Sequence, residues 1–440
     1  MPSLILAAPS SGAGKTTITL GILRALKNAG VGIRSAKSGP DYIDPQFHAA
    51  ATGQPCFNLD AWAMSAERIK SYAAAKDDLI IEGAMGLFDG APPRGAGSTA
   101  DLAAILDLPV ILIINAKAMS HSIAALVGGF VNHRADVAIK GVILNNVGSE
   151  RHTQMLKTAL KQLGIPVLGA VPRFDALSRP SRHLGLVQAG EMPDLESFLN
   201  AAADIMAQHI DLGALRALMA PTDHASAFRG SKFRTIQKGH RIAIAQDAAF
   251  SFTYATQLAG WAHSGATIIP FSPLANDPVP EADQIILPGG YPELYAGQLA
   301  ANQTFMQSLR YAAQATHIYG ECGGYMTLGE TLIDADGTAH KMAGLLGLTT
   351  SFATRKLQLG YRKLQGIAND VLDDDAGLNQ RYSAHEFHYA TTVDAQGHPL
   401  FEAQTADGLA LGKIGLAEGR VAGSFAHIID VGNFAPLAIT

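Results

Sequence analysis

Residues 8–17 read Ala8-Pro9-Ser10-Ser11-Gly12-Ala13-Gly14-Lys15-Thr16-Thr17, and they set the architecture of the first half of the chain. The apolar residues 4–7 precede them, and apolar residues at helical spacing follow over 18–26. This order predicts a strand, a glycine-rich turn and the N-terminus of a helix. Because backbone N–H groups converge at such a point and the helix dipole adds positive charge, the predicted ligand is a polyphosphate.

The residues of this loop suit a nucleotide with its metal ion. Lys15 is predicted to reach the β- and γ-phosphates, and the Thr16 hydroxyl is predicted to hold Mg²⁺. Pro9 stands where the strict P-loop pattern has glycine. The predicted nucleotide-binding residues are Gly12, Gly14, Lys15, Thr16, Thr17 and, at the end of a later apolar strand, Asn145 against the adenine. The alternatives are a glycine-rich turn that binds nothing and, for the asparagine, an ordinary turn residue.

The composition is that of a compact protein with more than one domain. The chain has 440 residues, of which 48% are hydrophobic and 16% are charged. Its net charge of −5 and its lack of Lys/Arg runs argue against nucleic acid or an anionic membrane as a partner. No apolar run approaches the roughly 18 residues of a membrane-spanning helix. Because Cys56 and Cys322 are the only cysteines, a disulfide framework is excluded and the cytoplasm is the expected location.

The first half of the chain alternates short apolar strands with amphipathic helices. After the first helix, strands are predicted near residues 32–36, 78–82, 110–114, 140–144 and 166–170, and helices near residues 98–106, 120–133 and 150–163. This alternation predicts an α/β fold with a doubly wound, mostly parallel sheet. Ligands bind at the carboxyl ends of the strands in such sheets.

Two of these strand ends carry further candidate site residues. Lys37 and Asp41, which follow the second strand, are predicted to contact the substrate or its phosphate. Asp44 on the same loop and Glu82 at the end of the next predicted strand are predicted to bind Mg²⁺ together with Thr16. The alternatives are aspartates that cap a turn and a buried structural glutamate with a partner.

A second α/β pattern begins near residue 240, after a segment without clear periodicity. We expect a first domain over residues 1–210, a linker over residues 211–239 and a second domain over residues 240–440. In the second domain an apolar strand leads into Gly320-Glu321-Cys322-Gly323-Gly324 and then into a helix. Small residues around a cysteine at a strand-to-helix turn are the sulfur analogue of a serine nucleophile elbow.

Cys322 is therefore the candidate nucleophile. A free thiol has a pKa of about 8.5, so it needs a base at neutral pH. His427, which follows another short strand, is the candidate base, and the backbone N–H groups of Gly290 and Gly323 are candidates for an oxyanion hole. The alternative is a buried, inert thiol, since cysteine is among the most buried residues.

These motifs resemble those of a known family. The segments that carry the resemblance are residues 11–16, 39–45, 82–87, 182–186, 287–291, 321–324 and 385–389. The N-terminal half is similar to dethiobiotin synthetase-like ATPases, and the C-terminal half looks like a flavodoxin-like class I glutamine amidotransferase domain. Both halves in this order resemble the cobyrinic acid a,c-diamide synthase family. Residues 351–361 are more similar to the branch that acts on metal-free hydrogenobyrinic acid.

The resemblance implies an ATP- and glutamine-dependent ligase of cobalamin (vitamin B12) biosynthesis. It implies that Cys322 releases ammonia from L-glutamine and that ATP with Mg²⁺ activates the a and c carboxylates of hydrogenobyrinic acid, or a related corrinoid, as acyl phosphates. Ammonia is expected to pass between the two kinds of site without release, so two domains, or two subunits, are expected to pack active site to active site. A homodimer is also expected.

Other functions are compatible with parts of the sequence. Cobyrinic acid, which contains cobalt, or another tetrapyrrole is the alternative acceptor. A nucleotide-dependent switch of the chromosome-partitioning kind shares the P-loop fold, but it predicts a lysine near Ser10 or Ser11 and no fused amidotransferase. A regulatory protein with a vestigial amidotransferase half is opposed by the intact Cys322 and His427.

The third catalytic position departs from the class I pattern. Typical class I domains carry a glutamate two residues after the catalytic histidine, whereas this chain has Ile429 there. The family resemblance therefore implies a Cys–His dyad. Glu386 and Asp430 are the candidates to orient His427, and the sequence does not choose between them.

Overall fold

The chain divides into two compact units, Met1–Arg229 and Gly230–Thr440. The computed structural model describes residues 2–74, 76–174, 181–182, 185–186, 188–222, 238–367, 380–432, 434–435 and 437. His183 and Leu184 of the family motif at 182–186 lie outside the described residues, as does most of the predicted linker, residues 223–237. Among the described residues, no helix combines the length and the apolar character that a membrane span requires.

The first unit is built on an eight-stranded sheet. Its strands follow the order β3-β2-β4-β1-β5-β6-β7, all parallel, with β10 antiparallel on β1. The strands of this unit are β1 (Pro2–Ala7), β2 (Ile33–Ser38), β3 (Phe57–Leu59), β4 (Asp78–Glu82), β5 (Val110–Asn115), β6 (Ile139–Val147), β7 (Val167–Pro172), the small pair β8 (Ser181–Arg182) and β9 (Gly185–Leu186), and β10 (Ala220–Pro221). The predicted mostly parallel sheet is confirmed.

Both faces of this sheet are covered. Successive side chains of a strand point to opposite faces, yet five consecutive residues of β1 and four of β4 are buried. The covering helices are α1 (Lys15–Asn28), α2 (Asp44–Thr52), α3 (Ala66–Ala73), α4 (Thr99–Leu106), α5 (Ser122–His133), α6 (Glu150–Lys161), α7 (Leu195–His209) and α8 (Leu212–Ala217). α8 and β10 fall in the segment predicted as linker: Leu215 is fully buried in the core of this unit, and β10 pairs with β1.

The second unit contains a ten-stranded and a four-stranded sheet. The larger has the order β12-β11-β13-β14-β23-β22-β21-β18-β19-β24, and the smaller has the order β16-β15-β17-β20. The strands are β11 (Arg241–Ala245), β12 (Thr267–Phe271), β13 (Gln284–Leu287), β14 (His317–Glu321), β15 (Thr331–Ile333), β16 (Ala339–Lys341), β17 (Gly347–Ser351), β18 (Gln358–Gly366), β19 (Arg381–His388), β20 (Thr391–Gln396), β21 (His398–Thr405), β22 (Ala410–Glu418), β23 (Val421–Ser424) and β24 (His427–Val431). The helices are α9 (Ala255–His263), α10 (Ala296–Ala301), α11 (Gln303–Ala312) and α12 (Gly323–Leu328).

Five strands at one end of the larger sheet are parallel. Numbered by their own chain order, they follow the sequence 2-1-3-4-5, which is the flavodoxin-like arrangement. The remaining five strands continue the sheet in antiparallel fashion. The predicted flavodoxin-like core is thus confirmed, and the antiparallel extension is a feature that the sequence analysis did not predict.

The antiparallel extension has to curl back on itself. β23 and β24 are separated in sequence by Phe425 and Ala426 alone, a link that spans about 10 Å when extended. They stand five positions apart in the strand order, which would separate them by about 24 Å in a flat sheet. The curl therefore brings β24, and β19 beside it, back to the carboxyl end of β14, where Cys322 lies.

Candidate active sites

The glycine-rich loop has the conformation that a phosphate site requires. Gly12 and Gly14 have φ angles of 78° and 88°, in the left-handed region, and α1 begins directly after them at Lys15. The first turn of the helix, including Thr16 and Thr17, therefore follows the loop without an intervening residue. The backbone N–H groups in the first turn of α1 point toward the end of the loop, as expected for an anion site.

Asn145 fixes one side of this loop. Its Nδ2 donates a hydrogen bond of 2.8 Å to the carbonyl oxygen of Ala13. A Cβ atom on Gly14 would lie 2.2 Å from the same Nδ2. Asn145 at the end of β6 is thus next to the loop, and its amide is held by the loop backbone.

Replacing Gly14 by alanine is expected to lower both the free energy of unfolding and the affinity for ATP. A left-handed backbone costs a non-glycine residue about 1–2 kcal/mol, and the new Cβ collides with Asn145. Gly12→Ala is the matched control, because Gly12 is also left-handed but has open space around its Cβ position. Urea denaturation and ATP titration of both variants measure the difference. Equal losses in the two variants would contradict the importance of the Asn145 contact.

Lys15 is turned toward the loop that follows β4. Its Nζ donates a hydrogen bond to the carbonyl oxygen of Met85. Met85 is a half-exposed residue with a left-handed φ of 44°. Burial lowers the pKa of Lys15, and the charge of Glu82 opposes that shift. Lys15, the cation that is predicted to contact the phosphates, therefore has its ammonium group hydrogen-bonded to the carbonyl oxygen of Met85.

A buried cluster of charges lies next to the loop. Lys37 Nζ is 2.7 Å from Asp44 Oδ2, 2.8 Å from Glu82 Oε1 and 3.7 Å from Asp41 Oδ2. Burial disfavours the charge on Lys37, but Glu82 and then Asp44 outweigh it and raise its pKa well above the ordinary value. The strands β2 and β4 are neighbours in the sheet, which is why residues 37 and 82 meet.

Thr16 joins this cluster from α1. Its Oγ1 lies 2.6 Å from Glu82 Oε1 and 3.1 Å from Asp44 Oδ2. The hydroxyl has one proton and can donate to one of the two carboxylates at a time. Three oxygen-bearing side chains predicted as metal ligands thus converge in the structure, with the ammonium group of Lys37 between the carboxylates.

His48 is a member of the cluster that the sequence analysis missed. Its Nε2 lies 2.7 Å from Glu82 Oε2, and both side chains are fully buried. Burial alone would raise the pKa of Glu82, but Lys37 and His48 outweigh burial and hold it below its usual range. The available signal was helical spacing: α2 begins at Asp44, so residues 44 and 48 lie on one face.

Asp41 holds the turn that leads into α2. Its Oδ1 accepts hydrogen bonds from the backbone N–H groups of Ile43 (2.9 Å) and Asp44 (3.1 Å), and its carbonyl oxygen accepts one from Asn58. Burial and the charge of Asp44 raise the pKa of Asp41 to about 6. The structure therefore places this residue beside the cluster, where it holds the start of α2.

Cys322 lies at a sharp turn between β14 and α12. Its φ of 47° and ψ of −102° are strained for a residue with a side chain. Burial raises the pKa of Cys322 well above its ordinary value, and the charges of Glu293 and Glu386 add to the effect, whereas the N–H of Gly323 opposes it. Its Sγ is 4.0 Å from the carbonyl oxygen of Phe387.

His427 and Cys322 pack against the same glycine. A Cβ atom on Gly289 would lie 2.3 Å from Cε1 and 2.9 Å from Nε2 of His427, and 3.3 Å from Cβ of Cys322. The curl of the antiparallel strands thus brings together the two residues that the sequence analysis paired. The predicted oxyanion residues are also neighbours, since a Cβ atom on Gly323 would lie 3.1 Å from the backbone nitrogen of Gly290.

The carboxylate that faces His427 is not one that the sequence analysis named. Glu321 Oε2 lies 3.6 Å from His427 Nδ1. Glu386 pairs with Arg362 at 2.6 Å and with His388 at 2.9 Å. Asp430 accepts a hydrogen bond from the N–H of Val431.

Comparison with known proteins assigns both halves of the chain. Residues 4–187 match the CobQ/CobB/MinD/ParA nucleotide binding domain, and residues 241–433 match the CobB/CobQ-like glutamine amidotransferase domain. Curated relatives named hydrogenobyrinate a,c-diamide synthase match over nearly the full length. The chain belongs to the hydrogenobyrinate a,c-diamide synthase family. The relative from Brucella anthropi is 52% identical over 98% of this chain and 99% of its own length. The relative from Rhizobium meliloti is 50% identical (98% and 99%), and the relative from Rhodobacter capsulatus is 47% identical (97% and 98%).

Membership in the hydrogenobyrinate a,c-diamide synthase family confirms the predicted class of enzyme. The chain is a glutamine-dependent, amide-forming ligase with a nucleotide-binding P-loop domain. A nucleotide switch without an amidotransferase half does not fit the match over residues 241–433.

Proposed function

We propose that this enzyme amidates the a and c carboxylates of hydrogenobyrinic acid, with ATP and L-glutamine as cosubstrates, in cobalamin biosynthesis. The observation that carries the proposal is the full-length similarity to relatives of that name. It is supported by the geometry of the two sites, because a phosphate loop and a nucleophile elbow are the parts that such a reaction needs.

The second unit would release ammonia from glutamine. Nε2 of His427 accepts the proton of the Cys322 thiol, and the thiolate attacks the side-chain amide carbon. The N–H groups of Gly290 and Gly323 stabilise the negative charge on the amide oxygen. His427 then returns the proton to the departing nitrogen, ammonia leaves, and water hydrolyses the glutamyl thioester.

The first unit would activate the carboxylate that accepts the ammonia. A carboxylate is too poor an electrophile for direct attack, so its oxygen first takes the γ-phosphoryl group of ATP. Lys15 leaves the Met85 carbonyl to neutralise charge on the transferring group. Lys37 and Asp41 hold the carboxylate and phosphate in place. Ammonia then attacks the acyl phosphate and phosphate leaves.

Mg²⁺ fits the residues predicted to hold it. Thr16, Asp44 and Glu82 present hard oxygen donors, and the two carboxylates already share one cationic partner, Lys37. Among the described residues there is no cluster of three His, Cys, Asp or Glu side chains that could hold a metal ion, so the threonine hydroxyl, phosphate and water would complete the set. When bound, Mg²⁺ would supply positive charge to the phosphates.

Removal of divalent metal is expected to separate the two activities. Treatment with EDTA should abolish synthesis with ammonium chloride as nitrogen donor but leave hydrolysis of glutamine, because Cys322 and His427 need no metal. Added Mg²⁺ should restore synthesis. Synthesis that persists in EDTA, or glutamine hydrolysis that disappears with it, would contradict the assignment.

Mass spectrometry of the corrin tests the proposed acceptor. The enzyme is incubated with ATP, Mg²⁺ and glutamine, and with hydrogenobyrinic acid or cobyrinic acid in parallel. We expect hydrogenobyrinic acid to undergo two successive changes in mass, each that of OH replaced by NH₂. A preference for the cobalt form, or no change with either acceptor, would overturn the proposed acceptor.

Two further predictions from the sequence belong to this proposal. We propose that the enzyme acts in the cytoplasm, in keeping with its cysteine content, and as a homodimer. Light scattering tests the second point: a molar mass twice that of the 46.1 kDa chain is expected, and a monomer would contradict it.

A further inference from the structure

We propose that Glu321, the residue immediately before the nucleophile, orients His427 and stabilises its protonated form. In typical class I domains a glutamate two residues after the catalytic histidine has this role, but this chain has Ile429 at that position. Glu321 takes over the role here. Glu321 is a positioning residue, since it acts through His427. The inference rests on the amidotransferase part of the proposed function and is independent of the corrin acceptor.

The carboxylate of Glu321 lies between β14 and the start of β24. Oε2 is 3.6 Å from Nδ1 of His427, and Oε1 accepts a hydrogen bond of 3.2 Å from the backbone N–H of Ile428. The side chains of Glu321 and His427 are 7% and 1% exposed. One carboxylate therefore lies against the ring, beyond hydrogen-bond distance of Nδ1, and is hydrogen-bonded to the backbone of the strand that carries the ring.

The contact also selects the ring nitrogen that faces the thiol. With Nδ1 toward Glu321, Nε2 lies on the side of Gly289, against which Cys322 packs. At 3.6 Å Nδ1 and the carboxylate are not hydrogen-bonded, and a closer approach of the carboxylate would let Nδ1–H donate to it and leave Nε2 as the acceptor for the thiol proton. Contacts of this kind are often long before substrate binds and tighten in the complex.

His385 and Glu386 of β19 and Asp430 of β24 are other titratable groups on these two paired strands, and Asp430 accepts a hydrogen bond from the backbone N–H of Val431. His385 of β19 pairs with His427 in the sheet, and burial together with His427 lowers the pKa of His385 to about 3, so it remains neutral. Glu386 is held by Arg362 and His388, and its pKa stays low because these partners outweigh burial. The Glu321 carboxylate is 3.6 Å from Nδ1 of His427.

Glutamine is a suitable replacement for the test because it is isosteric but has one acceptor instead of two. In Glu321→Gln the side chain can accept from Ile428 N–H or from His427 Nδ1–H, but not from both, and the negative charge is lost. Glu321→Asp keeps the negative charge, but its side chain is one methylene shorter, so the carboxylate lies farther from His427. Glu402→Gln is the matched control, because Glu402 is a buried glutamate three strands from β14 in the same sheet.

The assay is glutamate release as a function of pH, with ammonium-dependent synthesis measured on the same preparations. We expect Glu321→Gln to lower kcat/KM for glutamine about 100-fold and to move the acidic limb of the pH profile to lower pH, since the imidazole loses the anion that favours its protonation. Glu321→Asp should have a kcat/KM and an acidic limb that lie between those of Glu321→Gln and those of the wild type. Glu402→Gln should keep the wild-type limb, and all variants should keep ammonium-dependent synthesis.

Two results would overturn the proposal. One is an unchanged rate and acidic limb in Glu321→Gln. The other is a rate loss with an unchanged limb in both Glu321 variants, which would indicate a structural role. The pH dependence of alkylation of Cys322 by iodoacetamide gives the same comparison without turnover: an unshifted profile in Glu321→Gln counts against the proposal.

Discussion

Cys322→Ala is expected to abolish synthesis with glutamine and to leave synthesis with ammonium chloride close to the wild-type rate. Loss of a nucleophile typically costs about 10⁴-fold or more, whereas free ammonia bypasses the step that needs the thiol. The two rates are measured with the same corrin acceptor, ATP and Mg²⁺. The variant should fold, because alanine fits the site of the buried thiol and its backbone is fixed by the hydrogen bond from residue 322 N–H to Ser424.

Cys56→Ala is the matched control for this experiment. Cys56 is the only other cysteine, it is equally buried, and it belongs to the first unit. It should retain synthesis with either nitrogen donor. Glutamine-dependent synthesis that survives in Cys322→Ala would show that another group is the nucleophile.

Lys15→Ala is expected to abolish synthesis with both nitrogen donors. Removing a cation that neutralises a transferring phosphoryl group costs about 10³-fold or more, and no nitrogen donor bypasses ATP. Glutamine hydrolysis in the absence of acceptor should remain, because Lys15 belongs to the other unit. Corrin amidation and glutamate release are measured in parallel.

Lys27→Ala is the control on the same helix. Lys27 lies in the exposed last turn of α1, away from the loop. It should retain synthesis with both donors. Substantial ammonium-dependent synthesis in Lys15→Ala would contradict the role given to the loop lysine.

The features that could be predicted from the sequence are those encoded locally. The strand, loop and helix around Lys15 follow one another in the chain, and the Cys322 elbow is likewise a short strand-to-helix turn. The helix predicted to start near residue 98 begins at Thr99, and its start is also encoded locally, because Ser98 and Asp101 form a capping box at the N-terminus of α4.

The features that could not be predicted depend on pairing between distant strands. Glu321 faces His427 because the antiparallel strands curl and return β24 to β14, and neither periodicity nor spacing encodes that return. His48 reaches Glu82 through the packing of α2 on the sheet, which required the start of the helix to be known. For the same reason the sequence could not choose between Glu386 and Asp430 as the residue that orients His427.

We propose that this one chain transfers the amide nitrogen of glutamine to an ATP-activated corrin carboxylate. The most direct test supplies amide-¹⁵N-labelled glutamine, ATP, Mg²⁺ and hydrogenobyrinic acid, with unlabelled ammonium present at low concentration, and determines the mass of the product. We expect a diamide in which both new nitrogens carry the label. Unlabelled amides, or no amide in the presence of active glutamine hydrolysis, would contradict it.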